Sequence, residues 1–215
     1  MRSLKLQVFL LLIAVIGVGA LVFDVVLKGR AEAELADEVE RRVPGASGVE
    51  ADISSFPFVG RLLLSGRVSK VVITAQHAGI DVVALSDVRV QVEDVEMDTD
   101  AAMDGRAVVR SIGRGSVQAD LRQEEINSLL PRGYSVQMQG EKATISGPAA
   151  SRAQFVTTPE GSVQLRIADR ALVDIPFPKT DLLPCAPAAT FVTGAVRLAC
   201  TFDELPPLLV DLALN

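Results

Sequence analysis

The pattern of apolar and polar residues predicts a protein in which amphipathic strands outnumber helices. Apolar and polar side chains alternate along many segments after residue 66, as in 88–93, which is typical of a strand with one buried face. Helical spacing is clear at 30–43 and at 121–130, and each of these segments is followed by a proline. We predict about eight to ten strands in a mostly antiparallel sheet, because so few helices cannot supply parallel crossovers.

The predicted class is therefore α+β, with a curved sheet wrapped around the helix of residues 30–43. Each amphipathic strand has an apolar face that needs cover, and two or three short helices can cover only part of it. Any part of the concave face left uncovered would form an apolar groove.

The N-terminus predicts export across the cytoplasmic membrane. Residues 6–23 carry no charge, and the cations Arg2 and Lys5 precede them, which points the N-terminus into the cytoplasm. Residues 4–27 are interpreted either as a membrane anchor or as a signal peptide that is cleaved and released. The predicted domains are residues 1–29 as this signal or anchor and residues 30–215 as an α+β domain.

Two cysteines, Cys185 and Cys200, are the only ones in the chain. An even pair in an exported domain favours a disulfide, whereas a cytosolic pair would favour free thiols or part of a metal site. The expected role is structural, since a redox-active pair more often has Cys-x-x-Cys spacing.

Composition and charge exclude several function classes. The chain has 215 residues and a net charge of −6, and its lysines and arginines are scattered, so we expect no nucleic-acid partner. His77 is the only histidine, and no nucleophile elbow, zinc motif or phosphate loop is present. The acidic segment 93–104 lacks the glycine and glutamate positions of a calcium loop. We therefore predict no catalysis, no metal and no cofactor.

The most distinctive stretch runs from Ser55 to Arg67 and reads Ser-Phe-Pro-Phe-Val-Gly-Arg-Leu-Leu-Leu-Ser-Gly-Arg. Pro57 cannot donate to a strand ladder, so the Phe-Pro-Phe bend belongs at a sheet edge or at the start of a strand. Gly60 and Gly66 bracket a run that is either one helical turn or a bulged strand. Its apolar side chains need cover, which either the protein core or a lipid chain could provide.

This motif, followed by an alternating valine strand, resembles the signature of the LmeA family of actinobacterial phospholipid-binding cell-envelope proteins. The family layout of an export segment, a short helix, the motif and a series of amphipathic strands is also similar. The resemblance covers roughly residues 30–215, and it implies a tubular lipid-binding type of fold, in which a curved sheet and a helix hold acyl chains between them.

On this resemblance, a set of motif residues would bind phospholipid. The side chains that would line or gate the groove are Phe56, Phe58, Leu62, Leu63 and Leu64, with Phe177 as a later contributor. Arg61 and Arg67 would donate paired hydrogen bonds to a head-group phosphate. The alternative for each of these apolar side chains is that it fills the protein core.

The sequence thus predicts an exported phospholipid-binding protein of the cell envelope that acts as a carrier, chaperone or sensor of lipid. The resemblance implies a process such as the assembly of envelope glycolipids, for example lipomannan. The alternative is a structural or protein-interaction module at the outer face of the membrane that binds no lipid and uses the sheet edge and the Phe-Pro-Phe bend.

Overall fold

The computed structural model describes residues 2–80, 83–99, 109–148, 151–158, 162–167, 170–176 and 185–203. Its three helices within these ranges are α1 (Arg2–Arg42), α2 (Phe58–Ser65) and α3 (Gln123–Leu129). The strands are β1 (Glu50–Ile53), β2 (Arg67–Ile80), β3 (Val83–Met97), β4 (Val109–Ser111), β5 (Arg114–Arg122), β6 (Ser135–Gln139), β7 (Lys142–Ser146), β8 (Ser151–Thr157), β9 (Ser162–Ile167), β10 (Arg170–Pro176), β11 (Ala188–Val192) and β12 (Ala195–Phe202).

Helix α1 ends as the sequence predicts, but it begins far earlier. Pro44-Gly45 follows its last turn, and Gly45 has a φ of 65°, a left-handed conformation that glycine adopts without a steric penalty. The helix continues upstream of residue 30 to Arg2 without a break. Among the described residues, no helix combines the length and the apolar character that a membrane crossing requires. The membrane helix predicted over residues 4–27 is therefore not confirmed.

The strands of the described residues form two open antiparallel sheets. The first sheet has the order β1-β2-β3-β5-β12-β11, with β4 paired to β3, and the second has the order β10-β9-β8-β7-β6. This arrangement confirms the α+β class and the mostly antiparallel pairing. Helix α1 contacts the edge strand β1 and helix α2. A sheet that wraps around residues 30–43 stays a prediction.

The alternation pattern predicts one sheet, but the strands form two, and helix α3 connects the first sheet to the second. Leu121 and Arg122, at the start of the predicted helix, instead continue β5, and Leu121 is fully buried opposite Val196. The helix then turns the chain into β6. The Asn127 side chain accepts a hydrogen bond from the Val136 N–H at 2.7 Å and donates one to the Val136 carbonyl at 3.2 Å, which fixes α3 against the second sheet.

One buried apolar cluster joins the two sheets. Val43 just after α1, Phe58 of α2, Leu85 of β3 and Leu165 of β9 all belong to it. Where the sheets meet, the rings of Phe155 and Phe191 lie 5.1 Å apart in an edge-to-face arrangement. The described part of the chain is therefore organised around a continuous core.

Cys185 and Cys200 form the predicted disulfide, with their Cα atoms 5.9 Å apart. Cys200 lies on β12, and Cys185 precedes β11. The bond therefore links the segment before the hairpin to the second strand of that hairpin.

Candidate functional site

The Ser55–Arg67 motif forms a bend, a short helix and the start of a long strand. The Phe56-Pro57 peptide bond is cis, and α2 begins directly after it. Gly66 ends the helix with a φ of 64°, and its amide donates to the Leu62 carbonyl. A Cβ atom on Gly66 would lie 2.7 Å from the Met97 carbonyl oxygen, so both the conformation and the space at this position require glycine. The bracketed run is a helix and not a bulged strand.

The N-terminus of α2 is capped by a residue far away in the sequence. Pro57 occupies the position before the helix and supplies no side-chain hydrogen bond. The Asp24 carboxylate accepts hydrogen bonds from the backbone N–H of Phe58 at 3.0 Å and of Val59 at 2.6 Å. These are two of the amides that a helix start leaves without partners, and the helix dipole favours a negative charge there. Asp24 therefore attaches α1 to the motif.

Asp24 was not singled out by the sequence patterns. It is only 5% exposed, although it follows directly on the uncharged run of residues 6–23. A buried carboxylate needs hydrogen-bonding partners, and the motif provides them. The available signal was indirect: Pro57 cannot cap a helix with its side chain, so a helix at 58–65 requires an acceptor from elsewhere.

Helix α2 has one buried face and one exposed face. Phe58 is 7% exposed and belongs to the core, and Leu62 packs against that core from the next turn. Leu64 is 90% exposed, and Phe56, just before the helix, is 69% exposed. The apolar residues predicted to line one groove are therefore divided between the inside and the outside of the domain. The Leu63 side chain lies outside the part of the chain that the structure describes.

The two predicted phosphate-binding arginines have different surroundings. The Arg67 guanidinium donates to one oxygen of Glu96, from Nε at 3.0 Å and from Nη2 at 2.5 Å. The hydrogen bonds from Arg67, and then from Ser111, lower the pKa of the Glu96 carboxyl. Arg61 donates to the Ser69 hydroxyl, and no acidic partner of Arg61 occurs among the described residues. Of the two, Arg61 has the charge more available to a ligand.

Phe177, the remaining predicted contributor, lies outside the described residues. Two clefts on the first sheet are lined mainly by polar side chains and contain no motif residue. One, of about 250 Å³, borders Glu50, Gln76, Arg89 and Gln118, and the other, of about 270 Å³, borders Asp52, Ser54, Lys70 and Arg89. Where the structure describes the motif, Phe58 and Leu62 face protein atoms of the core.

The only histidine, His77, lies on a strand. His77 is exposed on β2, and its Nδ1 is 3.5 Å from the Ser47 hydroxyl. Within the described residues no acid hydrogen-bonds to His77, and no group of three or more His, Cys, Asp or Glu side chains is arranged to hold a metal ion. The prediction that the chain is not an enzyme stays a prediction.

The family model of LmeA-like phospholipid-binding proteins matches residues 22–211. The chain belongs to this family. No curated protein and no solved structure gave a significant match. The family match begins at residue 22, so it includes Asp24, whose carboxylate caps the motif helix, and leaves out most of the uncharged run. Family membership supports lipid binding as the general function.

Proposed function

We propose that this protein is an exported phospholipid-binding protein of the cell envelope that carries, shields or senses single phospholipid molecules. The observation that carries the proposal is the match of the LmeA-like phospholipid-binding family over residues 22–211, nearly the whole chain. The proposed role needs no nucleophile, metal or cofactor, because lipid carriage changes no covalent bond. A supporting role in envelope glycolipid assembly, such as that of lipomannan, is part of the proposal.

Two features support a location beyond the cytoplasmic membrane. The Cys185–Cys200 disulfide is typical of an oxidising compartment. The uncharged run 6–23, preceded by Arg2 and Lys5, has the charge order of an export signal. Residues 4–27 would serve either as a retained anchor or as a signal removed after export.

The proposed position of the acyl chains is the inner face of α2, where the helix lies against β2. Phe58, Val59 and Leu62 present apolar surface toward the core there. Each methylene of a lipid chain withdrawn from water contributes about 0.8 kcal/mol, so even partial insertion of one chain beside these residues would give useful affinity. Arg61 is positioned on the outer face of the same helix to meet a phosphate group.

One observation favours the alternative of a protein-interaction module. The core is continuous across the described residues, and the clefts beside β1 and β2 are lined mainly by polar side chains. A phospholipid would therefore have to displace side chains at the α2–β2 contact. Helix α2 has only eight residues and packs one face on the core, so a small displacement of its C-terminal part would open this contact while the hydrogen bonds to Asp24 keep its N-terminus in place.

A phospholipid carrier and a protein-interaction module differ in the phospholipid content expected of the purified full chain. We would purify the chain in a mild detergent, wash it extensively, and quantify phospholipid per chain by extraction and mass spectrometry. Leu62→Asn is the test variant and Leu64→Asn its matched control, since both change a leucine of α2 but on opposite faces. We expect a fixed amount of phospholipid in the wild type and in Leu64→Asn, and a severalfold loss in Leu62→Asn.

The thermal unfolding curve of Leu62→Asn shows whether the variant is folded. If the variant is not folded, the wild type alone provides the test. A wild-type chain that retains no phospholipid and takes none up from vesicles would contradict the proposed function. An equal loss of lipid in both variants would contradict the position assigned to the acyl chains.

A further inference from the structure

The large apolar side chains exposed on the described residues fall in two segments. Val22, Phe23, Val25 and Val26 lie near the end of the uncharged run in α1, and Phe56 and Leu64 lie in the motif. Exposed apolar residues that occur singly are normal, but a cluster of them marks a surface that meets a partner or a membrane.

The two segments are neighbours in the folded chain. The Asp24 carboxylate bonds to the first amides of α2, and α1 packs against α2. The six exposed side chains therefore flank the contact between α1 and α2. We call this surface the apolar end and define it by residues 22–26, Phe56 and Leu64.

We propose that the apolar end is a membrane-docking surface that contacts the face of a phospholipid bilayer. Helix α1 is continuous from Arg2 to Arg42, and its residues 6–23 carry no charge, so the apolar end begins where the uncharged run stops. At about 1.5 Å per residue, residues 22–26 extend only about 6 Å along the helix, which is within the depth of a head-group layer. A helix that held the uncharged run in a bilayer would bring Phe56 and Leu64 to the same level.

The charges around the apolar end fit an interface with phosphate head groups. Asp24 is the acid nearest to the run, and both of its oxygens are turned inward to the backbone of α2. The next charged residues along α1 are the cations Lys28, which is already paired with Glu32 and Asp52, and Arg30. Arg61 precedes Leu64 by three residues and shares the exposed face of α2 with it. Exposed apolar side chains flanked by cations are typical of a helix that lies at a membrane surface.

This inference rests on the proposed function, because a protein that takes phospholipid from a bilayer must meet that bilayer at a defined surface. The outer face of the motif would contact the membrane, while the inner face holds the acyl chain. The motif would then have two different roles on its two faces.

The absence of tryptophan from the chain permits a direct test. We would place single tryptophans at Phe56→Trp and Leu64→Trp in the full chain and reconstitute it in vesicles of phosphatidylcholine and phosphatidylglycerol. The vesicles would carry either ordinary or brominated acyl chains, since bromine quenches nearby tryptophan fluorescence. Phe58→Trp reports on the buried face of α2, where a bound acyl chain would lie, with Leu62→Trp replacing it if it does not fold. Phe191→Trp is the distant control on β11.

We expect brominated lipid to lower the fluorescence of Phe56→Trp and Leu64→Trp severalfold and to leave the distant control Phe191→Trp nearly unchanged. Quenching of Phe58→Trp without quenching of Phe56→Trp and Leu64→Trp would place the lipid only inside the domain and overturn bilayer contact by the outer face. Equal quenching of Phe191→Trp and Leu64→Trp would also overturn a defined docking surface.

Phospholipid retained per chain, measured on the same proteins, reports the proposed function separately. Loss of quenching with lipid retained would contradict only the docking surface. Quenching without retained lipid would support the docking surface and contradict the carrier role.

Discussion

The end of the domain that carries α2 and the region around β12 are stabilised by different interactions. Around β12, a disulfide joins Cys185 to Cys200, and Asp120 accepts two hydrogen bonds of 2.8 Å from Arg197 on the neighbouring strand. At the other end, α2 is held by two hydrogen bonds to Asp24 and by the packing of one helix face. The first region hides its apolar side chains, whereas the second leaves Phe56 and Leu64 in water.

This difference predicts that the two regions differ in local stability. Covalent and paired interactions hold the sheet together near β12, so we expect the short motif helix to open at a lower free energy than the sheet. Regions that bind ligands are drawn from the less stable parts of a structure for this reason. The following predictions test whether the two regions respond independently.

The largest expected effect is on the β12 side. Replacing both cysteines by serine, or reducing the disulfide, should lower the free energy of unfolding by about 3 kcal/mol, because the bond closes a loop with a sequence separation of 15 in the unfolded chain. Urea unfolding of the full chain with and without reductant measures the change. The double serine variant is the control, since reductant should not affect it. Equal unfolding midpoints for the oxidised and reduced wild type would contradict the assigned structural role.

Asp24→Ala should have the next largest effect, and it should be local. The substitution leaves two backbone amides at the start of α2 without acceptors, at a cost of about 2 kcal/mol. Hydrogen exchange should become faster at Phe58 and Val59 while the amides of β12 keep their protection. Asp24→Asn retains one acceptor oxygen and should fall between the wild type and Asp24→Ala. Equal loss of protection at β12 would show that the two regions unfold together.

Asp120→Ala tests the ion pair on the β12 side. The hydrogen bonds from Arg197 reach a carboxylate that is mostly buried, and they raise the pKa of the Arg197 guanidinium. Because Arg197 is partly exposed and can be hydrated after the change, we expect a cost of only about 1 kcal/mol. Thermal unfolding measures it, and Arg197→Met is the companion variant. A cost larger than that of breaking the disulfide would contradict this ranking.

The smallest effect is expected at the Arg67–Glu96 pair, which is exposed and follows the motif. The pKa of Glu96 is lowered in the folded protein by hydrogen bonds from Arg67 and Ser111, so the pair stabilises the fold above the ordinary carboxyl pKa. This contribution is lost as the pH falls through the lowered pKa. Glu96→Gln should therefore unfold slightly more easily than the wild type at neutral pH, and the difference should vanish in acid. A difference that grows in acid would contradict the sign.

Local patterns predicted much of the fold. The alternation of apolar and polar residues predicted strands such as that at 88–93, which lies within β3, because every second side chain of a strand with one buried face is apolar. The division into two sheets was not predicted, because it depends on Asn127 of α3 bonding to Val136. A single side-chain contact of this kind produces no periodic pattern in the sequence.

The residues of the candidate site could be predicted from the sequence, but their arrangement in space could not. The motif could be recognised by its residues, and its division into an inner face with Phe58 and an outer face with Leu64 follows only once the run is known to be a helix. The capping bond joins Asp24 to Phe58 across 34 positions, a pairing that depends on how α1 packs. Such long-range bonds carry no local signal.

The most direct test of phospholipid binding by this domain is photo-cross-linking in vesicles. The full chain would be reconstituted with a phospholipid that carries a diazirine in one acyl chain, and the cross-linked residues would be identified by peptide mass spectrometry. We expect cross-links on α2 and on the facing part of β2, in residues 56–72, and we expect a Leu62→Asn substitution to reduce them. Cross-links confined to residues 2–21, with none in the folded domain, would contradict it.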